Sequence, residues 1–343
     1  VMWVAATALA LGVLALRWQW REAEWTARLL LPALVLLALV SLGGHRHPFA
    51  HYGWVAWPFA IAAHFWILRW LEPGESPRYL EWLHAGGMLL IAALGAKELH
   101  WVAATFTARG TAWSVASVAI VPALLVMLAS SRAAESRWPI ATHGHAYRGT
   151  ATAAIAIAMV AWSLYANATH DGRSDPLPYL PLINALDLAH VLAGLSVVAA
   201  WLALRRTPRV PASMQPGRAT AWTAGAVAFV WLNGVLLRTL HHWAAVPYDF
   251  ESVRRSVLAQ ASLSVFWSLL ALALMVFATR RARRGLWMVG AGLMAVVVAK
   301  LFLVDLSHVG GIERIVSFIA VGVLMLVIGY FSPVPPRKPE NPS

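Results

Sequence analysis

The chain contains no cysteine, which excludes disulfides, thiolate metal sites and cysteine nucleophiles at once. Charge is scarce as well: only 12% of residues are Asp, Glu, Lys or Arg, against 60% hydrophobic ones. A soluble domain of 343 residues could not hide that much apolar surface, so a bilayer must solvate it. Familiar reaction signatures are missing too, with no P-loop, no Rossmann glycine fingerprint, no GxSxG elbow and no HExxH pair. Acidic residues are few, 15 against 27 Lys and Arg, an excess that could suggest a nucleic-acid binder. The basic residues sit at the ends of apolar runs, however, where a positive-inside bias accounts for them. Membrane lipids with anionic headgroups are therefore the expected partners, and nucleic acid is not.

What is abundant is long hydrophobic sequence. About eleven runs approach the ~20 residues that a spanning helix needs: 1–16, 29–43, 52–71, 79–101, 111–131, 150–167, 182–204, 221–240, 257–278, 285–305 and 312–331. Backbone groups cannot go unpaired in lipid and these runs do not alternate as barrel strands do, so helices are expected. The fold class follows: an all-α polytopic transmembrane bundle with no soluble domain. Residues 1–335 read as one transmembrane helical domain and 336–343 as a polar tail. Most of the 19 tryptophans lie near expected span ends, among them Trp18, Trp20, Trp25, Trp54, Trp57, Trp101, Trp138 and Trp243. Interfacial anchoring explains them, with sugar stacking by a few as the alternative. The opening at Val1, without methionine or signal peptide, predicts the C-terminal part of a longer protein.

The gaps between runs carry unequal charge. One set holds Arg17, Arg21 and Arg28; Arg69 and Arg78; Arg132, Arg137 and Arg148; Arg205, Arg206, Arg209 and Arg218; and Arg280, Arg281, Arg283 and Arg284. The alternate gaps hold fewer: Arg46, Arg109, Arg173, Arg254, Arg255 and Arg314. The richer set and the C-terminal tail are expected in the cytoplasm. The implied location is the bacterial inner (cytoplasmic) membrane.

On that topology the unusual polar residues collect at the outer ends of the spans. They include the run His45-Arg46-His47-Pro48-Phe49-Ala50-His51, then Glu98 and His100, His170 and Asp171, His241 and His242, and Asp305 to Arg314. His143 and His145 fall in a cytoplasmic gap, where solvent is a sufficient explanation. Within the spans, Asn184, Asp187 and His190 follow at three-residue steps, each about 60° further round a helix, and share one broad face. Asp or His inside a span is costly and faces a partner or a wet cavity. Asp187 also lies near a helix start, where a carboxylate answers the helix dipole, so a structural reading stays open. Lys300 and Asp305 sit about 140° apart on one helix and do not pair there. Lys300 either snorkels outward or meets an acid such as Glu98 or Asp187. Arg238 is close enough to its helix end to snorkel, and Asn233 suits an interhelical hydrogen bond.

Paired Asp and His at a lipid–water boundary could serve as general base and orienter for transfer from a lipid-linked donor. The candidate catalytic residues are Asp187, His190 and Asp305. The candidate substrate-binding residues are Asn184, Lys300, Arg314, Glu98, Asn233, Arg238 and His241. No cofactor is expected, since the histidine spacings 45/47/51 and 241/242 match no closed metal site. Haem between two histidines at matched depth, such as His64 and His190, is a weaker alternative to hydrogen-bonded structural histidines.

The last third of the chain carries a resemblance. Trp231-Leu232-Asn233 leads through His241-His242, Gln260 and Phe266-Trp267-Ser268 to Gly285-Leu286-Trp287. Lys300-Leu301-Phe302-Leu303-Val304-Asp305-Leu306-Ser307 and Ile312-Glu313-Arg314-Ile315-Val316-Ser317-Phe318 follow, ending at Gly329-Tyr330. These stretches resemble the C-terminal end of a family of large, uncharacterised bacterial multipass membrane proteins, a domain of unknown function. The specific part covers residues 220–335, with a weaker echo around Asn184-Ala185-Leu186-Asp187. The resemblance implies an all-helical inner-membrane protein. Family members are usually much longer, and the family supplies no catalytic residues to carry over. Three function classes remain: an envelope enzyme handling a lipid-linked glycan or acyl group, a transporter or channel, and a scaffold bound to other membrane subunits.

Overall fold

The computed structural model describes residues 1–18, 20–43, 47–206 and 217–301, together with positions 319, 322, 323 and 326. They are helical almost throughout, and among them no strand forms beyond an isolated bridge between Ser174 and Leu177. Contacts group the chain into two compact units, Val1–Val235 and Leu236–Ser343.

The first unit begins with α1 (Met2–Trp18), α2 (Arg21–Arg28) and α3 (Leu30–Gly43). These are followed by α4 (Gly53–Leu71) and α5 (Pro77–Phe106). Two short helices, α6 (Trp113–Ser117) and α7 (Ile120–Ser130), make up the run expected as one span at 111–131. Next come α8 (Arg132–Glu135), α9 (Ile140–Gly144), a π-helical turn (His145–Ala151) and α10 (Thr152–Thr169). α11 (Ala185–Arg206) follows, and α12 (Arg218–Ala244) has its residues up to Val235 in this unit and those from Leu236 in the second. The second unit holds α13 (Phe250–Arg255), α14 (Val257–Arg280) and α15 (Arg284–Lys300).

Six helical segments are long and apolar enough to cross a membrane: Pro77–Phe106, Trp113–Ser130, Ile140–Thr169, Ala185–Arg206, Ala219–Ala244 and Val257–Arg280. Met2–Trp18 and Leu30–Ser41 are apolar but shorter. The all-helical membrane architecture therefore stands; six candidate spans lie among the described residues, which do not show a count of about eleven. α4 has the length, but its tryptophans, Pro58, His64 and Arg69 dilute its apolar character. α15 has only 17 residues, and the expected run at 312–331 lies almost wholly outside the described residues.

The packing is that of a bundle built for lipid. Buried positions are dominated by alanine, including Ala5, Ala60, Ala123, Ala151, Ala166 and Ala271, while Trp3, Val40, Leu36 and Ile157 face outward. Lipid tails solvate large apolar side chains as well as a protein interior does, so close approach of small residues drives helix association. Gly95 illustrates this, since a Cβ there would lie 2.6 Å from Val121 Cγ1 on α7. Gly290 does the same within the α14–α15 hairpin, where a Cβ would meet Met275 Cγ at 2.6 Å.

α5 is the longest helix, 30 residues, and it positions both polar sites described below. Its start is fixed by Ser76, whose hydroxyl accepts from Tyr79 N, and by Pro77 in the first turn. Beyond its C-terminus the chain turns at Gly110, and Ala112 N donates to Arg173 O at 2.7 Å. Trp113 Nε1 also reaches the carbonyls of Ser174 and Asp175, so the long 170–184 connection is pinned to the α5–α6 turn.

Candidate functional site

At the C-terminal end of α5, Glu98 and Trp101 lie one turn apart on one face. The connection from α3 to α4 folds onto that face. It turns sharply there, with His51 and Tyr52 in the left-handed region at φ 47° and 66°. The turn brings Phe49 N to Glu98 Oε2 at 3.1 Å and His47 Nδ1 to both carboxylate oxygens at 2.9 and 3.0 Å. The His47 ring stacks on Trp101 with centroids 3.6 Å apart and planes 12° from parallel. A carboxylate at Nδ1 requires the proton on that nitrogen, which leaves a lone pair on Nε2. Among the described residues Nε2 has no hydrogen-bond partner. The pair is thus a histidine oriented by a carboxylate and held flat by an aromatic ring, with its second nitrogen available as a base. His100, nearby on α5, directs Nδ1 to Ser114 O at 2.8 Å.

The Asn184–Asp187–His190 stripe lies on one face of the α11 start, as its spacing predicts, but its polar atoms are turned inward. Asp187 is fully buried and accepts from Leu182 N at 3.2 Å, Trp231 Nε1 at 3.0 Å and the Asn184 side-chain amide. Asn184 Oδ1 in turn accepts from Asp187 N at 3.0 Å, closing a cap over the helix start. His190 donates from Nδ1 to Leu186 O at 2.8 Å and accepts at Nε2 from Asn167 Nδ2 at 2.9 Å. Its ring lies by those of Trp162 and Trp231, with centroids 4.7 and 6.1 Å away. Both ring nitrogens are engaged, so neither is left as a base.

The other expected site residues occupy separate environments. Asn233 Nδ2 donates to Phe229 O of its own helix at 2.7 Å. Arg238 is fully buried. His241 Nδ1 donates to Val246 O at 2.9 Å and its ring meets His242 edge-on. Lys300 does not reach outward along its own helix: Nζ donates to Gln260 O at 3.0 Å and Ser264 Oγ at 2.7 Å on α14. Asp305 and Arg314 lie outside the described residues.

A further cluster, which sequence reasoning missed, gathers at the opposite end of α5. Glu72, just past α4, accepts on Oε1 from Trp138 Nε1 at 2.7 Å and from His143 Nε2 at 2.8 Å. Fully buried His84 brings Nε2 within 3.8 Å of the same oxygen, and its Nδ1 lies 2.8 Å from Tyr147 Oη. The His84 and His143 rings stack 4.0 Å apart. Beside them Glu81 Oε1 takes His145 Nδ1 at 2.6 Å and also the Thr150 hydroxyl. Burial alone would raise the Glu72 carboxyl, but hydrogen bonds from Trp138 and His143 and the imidazole charges outweigh it and hold it below the usual range. Solvent therefore does not explain His143 and His145, because each is paired with a half-buried carboxylate. His84 inside an apolar run, one turn after Glu81, was the available signal.

The sequence profile of a family described as "Predicted membrane protein (DUF2339)" matches residues 1–335. The chain belongs to this family. The match covers nearly the whole DUF2339 chain rather than only 220–335, so both ends of α5 fall within the family region. No protein of curated function and no solved structure matches it significantly.

Proposed function

We propose that this DUF2339 protein is an enzyme, or the active partner of one, that handles a lipid-linked glycan or acyl group of the bacterial cell envelope. On this reading the protein lies in the cytoplasmic membrane with about eleven spans and a cytoplasmic C-terminus. The C-terminal end of α5 then faces outward. The observation that carries the reading is the Glu98–His47 pair, an oriented imidazole with an open nitrogen at the end of a spanning helix. The proton of an acceptor hydroxyl passes to His47 Nε2 while its oxygen bonds to the electrophilic carbon of the transferred group. The bond from that carbon to the lipid-linked oxygen breaks, and the leaving oxygen takes the electron pair and recovers the proton from His47. Glu98 stabilises the transient imidazolium. The closed hydrogen-bond network of Asp187 and His190 favours a structural role for that pair within the same protein.

The test is complementation of a deletion strain with Glu98→Gln and His47→Gln, with membrane abundance measured in parallel. Loss of a positioned base predicts a fall of about 10²–10⁴-fold in activity at unchanged abundance. Full complementation by both variants would overturn the reading.

A further inference from the structure

We propose that Glu72, His84 and His143 form a binding site for a divalent transition-metal cation of the zinc class. The site is separate from the Glu98–His47 pair and does not rest on its role. The three residues each offer one ligand atom, and these atoms all lie within 4.8 Å of one another. Two imidazole nitrogens and one carboxylate oxygen are a ligand set that borderline cations favour, and three protein ligands leave a fourth position for water. Bonds of about 2.0–2.2 Å in tetrahedral geometry need ligand atoms roughly 3.2–3.6 Å apart. The separations of 3.8 Å from His84 and 2.8 Å from His143 to Glu72 Oε1 bracket that range, and the two rings, stacked 4.0 Å apart, must part for both nitrogens to converge on one ion.

The deciding observation is His84 Nε2. The side chain is completely buried, this nitrogen has no hydrogen-bond partner, and it faces the Glu72 carboxylate. An ion pair between His143 and Glu72 accounts for those two residues but leaves His84 Nε2 unsatisfied, which is costly for a buried polar atom. A cation resolves the conflict. His84 Nδ1 lies 2.8 Å from Tyr147 Oη, and with that hydroxyl as acceptor the ring takes the tautomer whose Nε2 lone pair can meet a cation. Trp138 Nε1 orients Glu72 from the other side. Such partners are what ligating histidines and carboxylates commonly have around a metal. Local backbone supports the assignment too: His143 sits at a break in helical geometry, φ −113° and ψ 37°, directly before the π-helical turn that carries Tyr147. Turns of this kind concentrate at functional sites. Side-chain exposures of 14% at His143 and 23% at Glu72 leave an entry path that buried His84 lacks. Arg69 stacks on the Trp138 ring, 5.5 Å from its centroid, and so faces the indole.

The test uses the full chain without a polyhistidine tag, purified in detergent, stripped with EDTA and titrated with zinc or cobalt chloride. Wild type is expected to take up one equivalent saturably. His84→Gln and His143→Gln should each weaken binding at least tenfold, and Tyr147→Phe by about 10–100-fold. His51→Ala, at an exposed position, should leave uptake unchanged. Cobalt should give the intense visible bands of a four-coordinate site, a readout that wild type supplies even if a ligand variant fails to fold. No saturable uptake by wild type, a weak six-coordinate cobalt spectrum, or equal loss in His51→Ala would each overturn the site.

Discussion

The two ends of α5 use the same two side-chain types to different ends. At the C-terminal end one carboxylate serves one imidazole, accepts from its Nδ1–H and leaves Nε2 open. At the N-terminal end two imidazoles converge on one carboxylate oxygen, with Tyr147 behind His84 and the Trp138 indole donating to the carboxylate itself. One acid per imidazole orients a base. Two imidazoles on one acid leave His84 Nε2 at 3.8 Å, outside hydrogen-bond reach of the carboxylate, which is the opening the proposed cation fills. The Asn184–Asp187–His190 stripe supplies the contrast, because there the donors and acceptors match and the result is a buried brace. Residue type alone does not separate these three outcomes; the ratio of donors to acceptors does.

The comparison can be broken first at the C-terminal end of α5, where the largest effect is expected. If Glu98 acts only through His47, the double variant Glu98→Gln, His47→Gln should lose no more activity than His47→Gln alone, about 10²-fold or more. Additive losses in a complementation-linked activity assay would mean that the two residues do not work as a pair. Next is the brace. Asp187→Ala strands the amide of Asn184, the indole of Trp231 and Leu182 N, so unfolding in detergent should move down by about 3 kcal/mol or more. Wild-type thermal stability combined with lost activity would return Asp187 to the catalytic role that its sequence position suggests.

A smaller effect is expected midway along α5. Gly95→Leu forces a Cβ against Val121 Cγ1 and should cost about 1–3 kcal/mol. Activity should then fall only with the folded fraction measured by size-exclusion chromatography, which separates general loosening from damage at either end. The smallest change belongs to Lys300→Met. Its ammonium donates to the Gln260 carbonyl and the Ser264 hydroxyl, and losing those two bonds should lower stability by about 1 kcal/mol. A thermal-shift series can check this directly.

The sequence made several elements readable and hid others for physical reasons. α5 was expected at 79–101 and runs Pro77–Phe106; its start lies where Ser76 and Pro77 announce it. The shared face of Asn184, Asp187 and His190 follows from three-residue spacing alone, whereas their inward closure depends on Asn167 and Trp231 from other helices. Residues 140–149 read as a loop because His143, His145 and Arg148 are polar. They are helical because Glu72, Glu81 and Ala129 O receive those polar groups. The Glu72–His143 bond spans 71 positions, so no local spacing could display it. Glu98 was picked out as a polar group at a span end, yet its partner His47 was hidden among the histidines of one loop.

All of this rests on the two ends of α5 facing opposite sides of the membrane. The absence of native cysteine makes that directly measurable, since Phe106→Cys and Gly74→Cys each introduce a single thiol at an exposed position flanking the helix. A membrane-impermeant maleimide applied to intact cells should label Phe106→Cys and spare Gly74→Cys until the cells are opened. Labelling of Gly74→Cys from outside, or of both variants alike, would contradict the account.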